Sequence, residues 1–290
     1  MSLRRFIVAG IGIGLIAPLL CSACAPVQDD APQGTVRVIA SFYPLQYLAQ
    51  EIGGEQVHVT SLTPAGVEPH DVELSPATVR KLDQAQVLVY LSGFQTAVDD
   101  AVAQHQVPHT VDAHGLLEPN QDPHFWLDPS LLAQLVQPIK ESLSQADPAH
   151  ESAYGARAAT LQDQLTSLDQ EFQSTLSQCQ GDTIVVTHEA FGYLTTRYGI
   201  TQIGISGLDP EQEPSPARLK QVAKLAKDLQ VSTIFSEELV SKKVAATLAQ
   251  DLHLQTEVLD PLEGLVDPQG DYLSIMRQNL AKLSVALDCA

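Results

Sequence analysis

The chain has 290 residues, with 16 lysines and arginines against 35 aspartates and glutamates, and a formal net charge of −19 at pH 7. That balance excludes nucleic acid as a partner, because phosphate binding needs clustered Lys and Arg and no basic stripe is present. The length allows two lobes, each with a core of its own.

At the N-terminus Arg4 and Arg5 precede an unbroken apolar stretch from Phe6 to Leu20, followed by Cys21-Ser22-Ala23-Cys24. Residues 1–23 therefore read as a signal peptide, since the run is shorter than the ~20 apolar residues that cross a bilayer. Ser22 and Ala23 before Cys24 resemble the bacterial lipobox, in which the cysteine becomes the lipidated first residue, although Cys21 stands at the usual leucine position. Ordinary cleavage with Cys24 as a plain cysteine is the alternative. Residues 24–34, polar and Pro-containing, read as a lipid-anchored flexible tether at the outer face of the cell membrane or in the periplasm.

From residue 35 short β-branched runs alternate with helical spacing. Strands are predicted at 36–40, 57–62, 87–91 and 110–112, with helices at 45–52, 76–85 and 96–105, so residues 35–147 form a first α/β lobe with a mostly parallel sheet. A linking segment, 148–180, has no strand signal. In it Tyr154, Ala158, Leu161, Leu165, Leu168, Phe172 and Leu176 recur at steps of three and four, which predicts one long rigid helix of ~25 residues, roughly 37 Å, spanning both lobes and limiting hinge motion. Residues 181–290 repeat the alternation, with strands at 184–187, 202–205, 231–235 and 256–259 and helices at 190–198, 217–229, 242–252 and 272–287. The fold class is α/β, two Rossmann-like lobes joined by a helix.

Cys179 and Cys289 remain once Cys21 leaves with the leader and Cys24 takes lipid. An oxidising compartment makes a disulfide between them the expectation, with two unrelated thiols as the alternative.

Three histidines stand at strand or loop ends, where ligands of open α/β sheets gather. His70 lies in Glu68-Pro69-His70-Asp71, His124 in Asp122-Pro123-His124-Phe125-Trp126-Leu127-Asp128-Pro129 ahead of a helix, and His188 ends the strand before Glu189-Ala190-Phe191-Gly192. A lone histidine is more often structural or simply exposed than a ligand. Three at such ends, with a carboxylate, suit a tetrahedral zinc centre. Asp260, opening the turn Asp260-Pro261-Leu262-Glu263-Gly264, is the fourth candidate, with a plain turn cap as its other reading. His105, His109 and His114 read as surface residues.

These ordered motifs, with Gly207-Leu208-Asp209-Pro210-Glu211 and Phe235-Ser236-Glu237-Glu238, resemble the zinc and manganese solute-binding proteins of bacterial ABC importers over nearly all of residues 35–287. The resemblance implies two pseudo-symmetric lobes with metal in the cleft between them, held by His70, His124, His188 and Asp260, and delivery to a permease by a protein expected to be a monomer. Manganese members resemble a two-histidine, two-carboxylate arrangement with glutamate at the position of His188, so imidazole there shifts the preference from Mn2+ to Zn2+. Glu189, adjacent, is the carboxylate that a shifted register would supply. Many zinc members carry a long histidine-rich loop before the Asp-Pro-His motif; the stretch Gly115 to Gln121 has none. A zinc hydrolase with Glu68 or Glu189 as base is the rival reading, but His-Glu-x-x-His spacing and a nucleophile elbow are both missing, so an enzyme is not expected. A metal-dependent surface adhesin is a second rival.

Overall fold

Alternating β-branched runs and amphipathic segments fold as two parallel sheets flanked by helices in the computed structural model, which describes residues 31–117 and 122–290. The expected leader, Cys24 and the first part of the tether lie outside the described residues.

In the first sheet β1 (Val36–Ala40), β2 (Val57–Ser61), β3 (Val87–Tyr90) and β4 (His109–Asp112) run in the order β2-β1-β3-β4, all parallel. In the second, β5 (Thr183–Val186), β6 (Thr201–Gly204), β7 (Thr233–Ser236) and β8 (Gln255–Val258) repeat that order as β6-β5-β7-β8. The central strands are the most apolar, as burial on both faces demands, whereas the edge strand β8, Gln-Thr-Glu-Val, is largely exposed.

One face of each sheet packs into a shared core. It holds α1 (Tyr43–Gly53), α5 (Val136–Ala146), α6 (Glu151–Leu176) and α10 (Tyr272–Ala286). The opposite faces have separate cores, under α3 (Thr96–Gln104) in the first lobe and under α8 (Pro216–Asp228) and α9 (Lys243–Leu252) in the second.

The 26-residue α6 buries Tyr154, Ala158, Leu161, Leu165, Leu168, Phe172 and Leu176, the same stripe that the periodicity marks, and is about 39 Å long. It packs on α1, α5 and α4 (Pro129–Leu132) of the first lobe and on α10 and α7 (Gly192–Tyr198) of the second. Just past its end, Cys179 is bonded to Cys289.

One local expectation is corrected. The helix predicted over 76–85 is one α-turn, α2 (Pro76–Val79), followed by a 3-10 stretch, Arg80–Gln84; Ser75 caps it, but only Leu82 is buried, too narrow a stripe to hold a longer helix. Helix α5, a segment for which the sequence predicts no element, carries Pro138 in its first turn and is stabilised by burying Val136, Ile139 and Leu143. Proline is tolerated there because the amides of the first turn have no intrahelical acceptor.

Candidate metal centre

The C-terminal ends of both sheets face a common cleft, and the chain leaving them carries the site. His70 follows β2, His124 follows β4 in a 3-10 approach to Phe125–Leu127, His188 follows β5 directly, and Glu263 follows β8. These four each offer one ligand atom within 4.8 Å of all the others.

The His70 and His124 Nε2 atoms are 3.3 Å apart, and those of His188 and His124 3.4 Å. Glu263 Oε1 lies 3.1 Å from His70 Nε2, 3.0 Å from His124 Nε2 and 3.5 Å from His188 Nε2. Bonds of about 2.0–2.1 Å to a tetrahedral ion require donors about 3.3 Å apart. The five separations bracket that edge. Glu263 Oε2 is buried without a hydrogen-bond donor, so its negative charge is unanswered on that side. A cation answers it.

Each of two histidines is backed by a carboxylate. Asp122 Oδ1 accepts from the His124 amide at 2.9 Å and lies 2.7 Å from Nδ1. Glu237 Oε1 lies 2.8 Å from His188 Nδ1 and accepts from the Thr187 hydroxyl. At His124 a proton kept on Nδ1 by Asp122 leaves the Nε2 lone pair facing the cleft, the usual outer-partner arrangement of a metal-bound imidazole, whereas Glu237 approaches the His188 Nδ1 edge as a nearby charge without hydrogen-bond alignment. Glu237 falls in the Phe235-Ser236-Glu237-Glu238 segment that the resemblance marks, but nothing in its spacing pairs it with His188.

Burial sharpens the electrostatics. His124 is 0% exposed, His188 1% and Glu263 1%. Desolvation alone would lower the His188 pKa, but Glu237 and Glu263 outweigh it and push it up to about 10; His124 is raised in the same way by Asp122 and Glu263 against its burial. Burial would raise Glu263, yet the three imidazoles hold it well below the usual carboxylate range. Glu68 accepts from the His70 amide at 3.0 Å, and burial with the nearby Glu263 pushes its carboxyl up to about 7. Phe94 stands edge-on to His70 with centroids 4.8 Å apart, and Trp126 lies 5.1 Å from His124, an apolar wall that keeps the local dielectric low.

The structure brings His70, His124 and His188 together, and it does not bring Asp260 to them. Glu263, three residues on, occupies the fourth position. Asp260 Oδ1 instead accepts from the Leu262 amide at 2.8 Å. Leu262 itself has φ of 58° and is fully buried, a left-handed conformation costing roughly 1–2 kcal/mol for a residue with a Cβ. The one sequence signal for Glu263 is that it shares this turn with Asp260.

Glu189 points away, pairing with Arg218 at 3.2 Å. His105 pairs with Asp83, His109 with Gln145 and His114 with the Ser92 carbonyl, all away from the cluster.

The first lobe's loop also lies over the second lobe's turn. A Cβ on Gly264 would stand 3.4 Å from the Val67 carbonyl oxygen and 3.3 Å from Leu239 Cδ1, so the loop and the turn meet closely there.

Two parallel α/β lobes bridged by one long helix, with a buried three-histidine, one-carboxylate cluster between them, define a two-lobed metal-binding receptor. The profile of the ZnuA family, zinc-uptake complex component A periplasmic, matches residues 38–286, and this chain belongs to that family. The zinc-binding protein AdcA of Streptococcus pyogenes serotype M6 is 34% identical over 297 residues, covering 89% of this chain and 57% of AdcA. This chain thus spans about 57% of the length of that streptococcal relative. The high-affinity zinc uptake system protein ZnuA of Bacillus subtilis is 32% identical, covering 93% of this chain and 94% of its own. Among solved structures, the Zn(II)-bound ZnuA-like domain of Streptococcus pneumoniae AdcA superposes with a TM-score of 0.77 at 34% identity, covering 88% of this chain and all of that domain. The laminin-binding protein Lmb of Streptococcus agalactiae, described as bifunctional with adhesin and metal transporting activity, gives 0.81 at 32% identity, covering 87% of this chain and 99% of Lmb.

Proposed function

We propose that this chain is an exported, lipid-anchored carrier that captures a zinc ion through His70, His124, His188 and Glu263 and delivers it to the permease of an ABC importer. The observation that carries the reading is five donor separations between 3.0 and 3.5 Å in a largely buried cluster fed from both lobes. Three imidazoles and one carboxylate favour zinc over manganese, which is better served by harder oxygen ligands.

Capture exchanges protons for metal. In the metal-free cluster the imidazoles share protons with Glu263 and with one another; zinc takes the four facing lone pairs, and the displaced protons leave to solvent. Asp122 keeps the His124 ring oriented throughout. Because ligands come from both lobes, the bound ion ties the lobes together, and a permease would read the joined form. Export and anchoring through Cys24 draw support from the basic and apolar leader and from a relative named zinc-binding lipoprotein AdcA in Streptococcus pneumoniae. A monomer presenting one cleft to one transporter suits this role.

Dialysis of the purified protein against equal zinc and manganese, followed by metal analysis, tests the reading. One equivalent of zinc that is lost in His188→Ala is expected; a protein that retains no zinc, or retains manganese in its place, overturns it. The likeness to Lmb favours adhesion as a second activity of the same fold, checked by binding to immobilised laminin with and without zinc.

A further inference from the structure

The turn just after β8, Asp260 to Gly264, carries two carboxylates three residues apart, and only Glu263 reaches the donor cluster. The bonds of the turn show what the other one does. Asp260 Oδ1 accepts from the Leu262 amide at 2.8 Å, closing the turn on itself. The Asp260 amide donates to Asn279 Oδ1 at 3.0 Å, and its carbonyl accepts from Asn279 Nδ2 at 2.7 Å, so one buried asparagine of α10 holds both main-chain groups. From the first lobe, two residues beyond His124, Trp126 Nε1 donates to the Pro261 carbonyl at 2.7 Å, and the Trp126 carbonyl in turn accepts from Tyr272 Oη at 2.6 Å.

Every residue before Glu263 in this turn is thus held by at least one main-chain hydrogen bond. Leu262 sits at φ of 58°, a region that L residues with a Cβ avoid unless their surroundings impose it. Released from the Asp260 carboxylate, that amide would lose its acceptor, the residue would relax toward negative φ, and the Glu263 side chain would leave the cleft.

We propose that Asp260 is a positioning residue whose acceptor oxygen sets the left-handed turn at Leu262 and thereby aims Glu263 at the three imidazoles. The proposal rests on the cluster being a zinc site. The role needs an oxygen and not a charge, because the Leu262 amide asks only for an acceptor at 2.8 Å. An asparagine supplies the same oxygen.

The test compares zinc affinity, by competition with a chromophoric chelator, and the visible spectrum of the cobalt(II) form for the full chain and its variants Asp260→Asn, Asp260→Ala and Glu263→Gln. Asp260→Asn is expected to keep wild-type affinity and spectrum. Asp260→Ala is expected to lose about 10- to 100-fold in affinity, the usual effect of removing an outer partner, with an altered cobalt spectrum. Glu263→Gln loses more. If Asp260→Asn falls as far as Glu263→Gln, Asp260 is itself a ligand and the proposal is overturned. It is equally overturned if Asp260→Ala melts earlier without metal yet binds zinc as the wild type does. Should Asp260→Ala not fold, Asp260→Ser, with a shorter and weaker acceptor, takes its place, with intermediate affinity expected and wild-type affinity plus an unchanged spectrum counting against positioning. A wild-type chain that takes up no zinc fails before any variant is compared, and overturns the zinc reading along with this proposal.

Discussion

The two lobes share one strand order yet place their ligands differently. In the first, His70 and His124 follow β2 and β4; in the second, His188 and Glu263 follow β5 and β8. His124 and Glu263 thus occupy matching places after the last strand of each sheet, while His70 follows an edge strand and His188 a central one. The difference shows in how firmly each ring is held. His188 leaves its strand at once and is backed by Glu237, whereas His70 sits in a long loop, is 14% exposed at its side chain and has no carboxylate at Nδ1 among the described contacts. Repeating an architecture therefore repeats the cleft but not the rigidity of what lines it.

The largest effect should come from His188→Ala. It removes a ligand and leaves Glu237 and Glu263 facing each other without their imidazole, so zinc affinity is expected to fall by more than about 100-fold and the metal-free protein to lose about 3–5 kcal/mol, the cost of breaking a buried charged pair. His70→Ala should weaken zinc comparably while shifting the metal-free melting temperature far less. Equal destabilisation of the two variants in calorimetry would erase the contrast between the rings.

The disulfide separates stability from binding. Cys179 and Cys289 are 110 residues apart in the chain, so replacing both by serine is expected to cost up to about 4.7 kcal/mol in chain-entropy terms. Denaturant titration measures that loss; zinc affinity of the folded variant should be unchanged, since the bond lies at the far end of α6 and outside the cluster.

Protonation offers a third comparison. The raised His188 value, about 10, means that its imidazolium stabilises the metal-free protein fully below about pH 6.5, the unfolded value, and that this contribution fades as pH rises toward 10. Glu263, depressed, works in the other direction, contributing above about pH 4.5 and losing its effect as pH falls through its lowered value. Zinc must displace the His188 proton, so affinity should climb steadily from pH 6 to 9, a window higher than an unperturbed histidine would set. Calorimetry in buffers of different ionisation enthalpy should detect protons released on binding at pH 7; none released would contradict the ion-paired cluster.

The smallest effects concern the strut. Arg157 on α6 donates to the Ile52 and Gly53 carbonyls at 2.7 Å, closing the end of α1, and Arg157→Ala is expected to cost about 1.5–3 kcal/mol. Toward the second lobe the strut makes the pair Arg277–Glu171, exposed at 44% and 42%, and Arg277→Ala should cost no more than about 1 kcal/mol. Urea midpoints of the two variants would rank the attachments.

Much of the fold was legible because burial writes a period into the chain. The eight strands sit within two residues of their β-branched runs, and the stripe from Tyr154 to Leu176 predicts α6 because a helix between two lobes must bury one face along its length. Where the stripe was narrow, at 76–85, or broken by proline, at 136–146, periodicity had little to read. Glu237, meeting His188 only across the gap between β5 and β7, left no trace in local spacing.

The sequence by itself determined two parallel α/β lobes, a linking helix and three histidines at strand ends, since residue type and period follow directly from which face is buried. Only the tertiary structure decided which carboxylate completes the cluster. The linear motif points to Asp260, and the choice falls to Glu263 because Asn279, Trp126 and the Asp260 side chain together hold Leu262 in a backbone conformation that no leucine announces.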